Sequence, residues 1–70
     1  MALSMLQPGE SGVIQAITGK EEVKRHLQNL GFTKGESVQV VSDNPSGLIL
    51  AVKGVRIALN KGLANRILVG

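Results

Sequence analysis

Apolar and polar positions along this chain change period twice. Gly12 to Thr18 (Gly-Val-Ile-Gln-Ala-Ile-Thr) is rich in β-branched residues and predicts a strand. Val23, Leu27 and Leu30 then stand at i, i+4 and i+7, which puts them on one face of a helix of roughly ten residues. Past Gly35 the strand period returns. Ser37 to Ser42 predicts a strand with Val38 and Val40 inward, and Val55 to Leu59 alternates cleanly. Leu48 to Val52 is continuously apolar and predicts a strand covered on both faces. Arg66 to Val69 makes a fifth.

The punctuation agrees with this division. Gln7-Pro8-Gly9-Glu10 carries a type II turn signal, Pro presetting φ and Gly accepting a positive one. Thr18 followed three places later by Glu21 has capping-box spacing, and Glu21 precedes Arg25 by four, which suits a surface ion pair. Gly31 after Leu30 suits the left-handed residue that ends a helix, with Phe32 folding back onto Leu27. Thr33 to Glu36 and Asn44 to Gly47 predict turns, Lys53-Gly54 a tight hairpin, and Asn60 to Asn65 a short turn or 3₁₀ segment. Five short strands in 70 residues, with one helix between the first and second, predict a mainly β fold. A small SH3-like β-barrel spanning residues 1–70 as a single domain fits best, because closure removes exposed edges. An α+β sheet with the helix on one face is the alternative.

Composition narrows the chemistry. There are no cysteines, so disulfides, zinc ribbons and thiol catalysis are excluded together. His26 is the only histidine and lies beside Arg25, which leaves it without the partners of a ligand set and predicts a surface role. Glu21 and Glu22 are read as stabilising the helix N-terminus rather than holding a cation. Gly19-Lys20 resembles the end of a P-loop, but Ile14 and Glu21 stand where Gly and Ser or Thr are required. No serine shows a nucleophile-elbow pattern. The expectation is a chain that is not an enzyme and carries no metal or cofactor. The N-terminus lacks the basic start and apolar run of a signal sequence, and Leu48 to Val52 is far short of the roughly 20 residues that cross a bilayer. Membrane insertion is therefore not expected.

The formal charge is +3, and no acid follows Asp43 whereas Lys53, Arg56, Lys61 and Arg66 do. This stretch could attract an acidic protein surface, a lipid headgroup or a phosphate backbone. One Phe, with no Trp or Tyr, speaks against base stacking and against an aromatic groove for proline peptides.

Several segments together resemble one family. They are Leu3-x-x-Leu6-x-Pro8-Gly9-Glu10-x-Gly12-x-Ile14, Arg25-x-Leu27-x-x-Leu30-Gly31-Phe32-x-x-Gly35, Val38-x-Val40-Val41, Gly54-Val55-x-Ile57-Ala58-Leu59 and Ala64-x-x-Ile67-x-Val69. In order and spacing they resemble the FeoA family almost end to end, with Lys34 standing where proline is common. The resemblance implies an SH3-like barrel and a cytoplasmic accessory role in bacterial ferrous-iron transport, exerted by contact with the cytosolic portion of the FeoB transporter. A related barrel ends iron-dependent repressors, whereas this chain has no helix-turn-helix. The residues assigned to a partner surface are Arg25, Leu30, Phe32 and Lys34 at the helix end, with Lys53 and Arg56 of the basic hairpin as a second candidate. Leu30 and Phe32 also fit the core. The other functional classes are a small basic barrel that binds nucleic acid, and a homo-oligomer built through an exposed strand edge.

Overall fold

The computed structural model describes every residue from Met1 to Gly70. After a 3₁₀ turn at Leu3–Met5 come β1 (Ser11–Ile17), α1 (Glu21–Asn29), β2 (Ser37–Asn44), β3 (Gly47–Val52), β4 (Val55–Leu59), α2 (Lys61–Ala64) and β5 (Ile67–Val69). The strands form one antiparallel sheet in the order β4-β3-β2-β1-β5.

That order corrects the barrel expectation: β4 and β5 do not pair, so the sheet is open. The rim at β5 is occupied by the chain's own beginning. Ala2 bridges Leu68, the Met1 amino group donates to the Val69 carbonyl at 3.0 Å, and the Val69 N–H donates to the Met1 carbonyl at 2.8 Å. Between the rims lie the 3₁₀ turn and α2, which touch each other, and the Ser4 hydroxyl donates to the Asn65 side-chain oxygen. Two β-bulges, between Ile14 and Ala16 and between Val40 and Ser42, add the local bending that bulges bring without joining the rims. β4 keeps a free edge as a result.

The core is a single cluster of fourteen residues, all apolar, and no polar or charged residue is buried. Leu48, Leu50 and Val52 of β3 face into it together with Val38 and Val40 of β2. Ile49 and Ala51 on the opposite face are only half-buried, so β3 is covered fully on one side rather than both.

The helix end forms as its sequence dictates. Gly31 has φ of 109°, its N–H donates to the Gln28 carbonyl at 3.0 Å, and the Phe32 N–H donates to the Leu27 carbonyl at 3.0 Å. This is the bond pattern of a Schellman motif, with Phe32 and Leu27 both fully buried as its apolar contact. The helix start differs from the expectation. Lys20 is the N-cap and makes no side-chain cap bond. Thr18 is drawn instead to β5, its N–H donating to the Arg66 carbonyl at 2.7 Å and its hydroxyl to the same oxygen at 3.3 Å. The segment around residue 62 is a short helix rather than a turn, capped by the Asn60 side chain, which accepts from the Leu63 N–H at 2.8 Å.

Candidate functional site

With every polar side chain at least partly exposed, any side-chain chemistry of this chain is surface chemistry. No three His, Asp or Glu side chains converge on a common point. What the fold does bring together is a rim of three segments: the end of α1, the turn from Thr33 to Glu36, and the β3–β4 hairpin.

Each part has a local cause. The Schellman motif reverses the chain after Leu30, which is half-buried and packs against the core. The turn at residues 33–36 closes through the Glu36 N–H donating to the Thr33 carbonyl at 3.0 Å, which leaves Lys34 exposed at its tip. At the hairpin, Lys53 and Gly54 have φ of 52° and 75°, both left-handed as a two-residue type I′ connection requires. The hairpin then folds against the helix end. A methyl added at Gly31 would stand 3.8 Å from Val52 Cγ1 and 3.9 Å from Lys53 Cδ. Lys53 Nζ lies 3.9 Å from Glu36 Oε1.

Of the residues singled out from the sequence, Arg25, Lys34, Lys53 and Arg56 are exposed. Lys53 joins the helix end, so part of the second candidate patch and part of the first share one rim. Arg56 lies farther along, on β4 opposite Ala51. Phe32 is fully enclosed and touches no solvent; its part in the rim is to hold the helix end in place. His26 is exposed on α1.

Electrostatics change more than the sequence suggests. Glu21 pairs with Lys24 at 3.9 Å instead of with Arg25. Glu36 and Asp43, the last two acids of the chain, face Lys53 and Lys61 of the stretch that carries none, the second pair at 3.1 Å. Arg25, Lys34 and Arg56 are in no ion pair. Lys53 and Lys61 are thus held in internal pairs, so fewer of the cations that follow Asp43 are free, which fits discrete contacts better than a nucleic-acid backbone. Sequence reasoning missed both long-range pairs and the free edge of β4, since neither has a local signal.

The comparisons with known proteins bear on the whole chain. A family model described as the FeoA domain matches residues 1–70. A crystal structure of an iron uptake regulatory protein, FeoA, superposes with a TM-score of 0.94 at 36% identity, covering 100% of this chain and 93% of that one. The zinc complex of FeoA from Stenotrophomonas maltophilia gives 0.87 at 33% identity, covering 100% and 89%. The fold alone recurs in a manganese-dependent transcriptional repressor, with a TM-score of 0.93 at 18% identity over 100% of this chain and 35% of that one. Among curated proteins no match is found.

Proposed function

Because this chain belongs to the FeoA domain family, we propose that it is a cytoplasmic accessory protein of ferrous-iron transport that acts by contact with the cytosolic portion of a FeoB-type transporter. The S. maltophilia relative has itself been put forward as a ferrous-iron transport activating factor. One structural observation carries the reading. Every buried side chain is apolar, and the exposed chemistry is a rim of separate cations beside a rigid helix end. A surface of that kind offers shape and charge to another protein.

The contact surface is assigned to Arg25, Lys34 and Lys53 around Leu30, with Arg56 at its margin. Free Arg25 and Lys34 are suited to carboxylates on the partner, because neither has to give up an internal pair. The test is capture of the chain by the purified cytosolic portion of such a transporter. Wild type should be captured, and the Arg25→Glu, Lys34→Glu double variant should lose affinity about tenfold or more. Undiminished capture of the double variant removes this surface, and no capture of wild type removes the adaptor reading.

A further inference from the structure

We propose that the free edge of β4 is a strand-addition site for an extended segment of a partner protein in which apolar and acidic residues alternate. The inference deepens the adaptor reading and rests on it for the class of partner. The edge itself follows from the sheet order, in which β4 is terminal and, unlike β5, is covered by no other segment.

The hairpin sets which groups are available. A two-residue connection makes Val52 and Val55 a hydrogen-bonded pair, and the alternation of an antiparallel ladder then assigns Leu50–Ile57 and Leu48–Leu59 to bonded positions. Arg56 and Ala58, opposite Ala51 and Ile49, therefore direct their N–H and C=O groups away from β3. No backbone bond outside the ladder uses either residue. Two donors and two acceptors remain in a row, the template an incoming strand needs.

The side chains specify the occupant. On the outer face, Arg56 is exposed and in no ion pair, whereas Lys53 and Lys61 to either side of it already have acidic partners. On the inner face, Val55 is 56% exposed and Ile57 is half-buried against the core, so the apolar interior is left open at this rim. A strand with carboxylates on one face and apolar residues on the other meets Arg56 and extends the core at once. A second copy fits poorly. In the two-fold register that pairs the free groups, Arg56 lies opposite Ala58 of the copy and diagonal to its own symmetry mate, about 7–8 Å away and like-charged.

The probe is an acetylated octapeptide of alternating Val and Glu, compared with one of alternating Val and Lys, followed by amide NMR and hydrogen exchange on the full chain. The Val/Glu peptide should shift the Arg56 and Ala58 amides and slow their exchange, and the Val/Lys peptide should not. Arg56→Glu should weaken the Val/Glu peptide about tenfold and reverse the preference. Ala58→Pro should abolish binding while leaving the urea midpoint near that of wild type, because the deleted N–H serves no ladder bond. If Ala58→Pro does not fold, the charge reversal at Arg56 alone decides. Equal binding of the two peptides, perturbation away from β4, or protection of the same amides by a concentration-dependent dimer would each overturn the proposal. Ala58→Pro captured by the transporter's cytosolic portion as well as wild type would sink the strand-addition site alone, whereas the adaptor reading falls only if wild type is not captured.

Discussion

Gly47 begins β3 where the β2–β3 connection passes against the end of β4, and replacing it by alanine tests how tightly that corner is built. The added methyl would stand 2.6 Å from the Leu59 carbonyl oxygen and 3.2 Å from Asn60 Cα, both backbone atoms that cannot rotate away. The φ of 152° is also one that residues with a side chain rarely adopt. Overpacking of this kind costs about 1–3 kcal/mol, and unfavourable backbone geometry about 1–3 more. Gly47→Ala should therefore cost about 3 kcal/mol. A domain this small has roughly 3–5 kcal/mol in all. Starting from about 4 kcal/mol, about 1 would remain, which leaves roughly one molecule in six unfolded at 25 °C. With a urea slope of about 1 kcal/mol/M, the midpoint should fall by about 3 M. Gly54→Ala is the reference. Its φ of 75° is left-handed but nothing lies within 4 Å of the added methyl. Only the backbone cost of about 1–2 kcal/mol applies there. Urea denaturation of the two variants side by side decides the matter. If Gly47→Ala is no more damaging than Gly54→Ala, the close approach of the β2–β3 connection to β4 is not real, and the placement of the β4 edge loses its support.

Phe32→Ala should cost about 3–5 kcal/mol, as removal of a fully buried ring does, and leave the chain largely unfolded by circular dichroism; a cooperative melt close to wild type would mean that Phe32 is not core. Asn60→Ala should lower stability by about 1 kcal/mol through loss of the cap on the Leu63 N–H, read as a lower urea midpoint. Asp43→Asn should cost under about 1 kcal/mol, and the difference from wild type should vanish in high salt, because the Lys61 pair is half exposed.

The features legible in the chain are those whose causes lie within a few residues. Gly31 and Phe32 announce the helix end because both Schellman bonds close inside six residues. Lys53-Gly54 announces a hairpin because the turn type is set by two φ angles. The strands follow from alternation, β-branched or apolar runs and the turn signals between them, and so does their number. The family was legible too, since turns and apolar positions in fixed order carry it.

Tertiary structure decided what depends on distant partners. Thr18 has capping-box spacing, yet the Arg66 carbonyl, 48 positions away, takes its hydroxyl and its N–H. Local spacing cannot weigh a competitor that only the folded chain brings near. The same limit hid the Glu36–Lys53 and Asp43–Lys61 pairs, which leave fewer of the cations that follow Asp43 free. Closure of the sheet depends on which segment occupies the β5 edge, a pairing between residues far apart in the chain. Met1 and Ala2 occupy that rim, so β4 stays open, and the edge that most distinguishes the molecule's surface arises from a contact between its two ends.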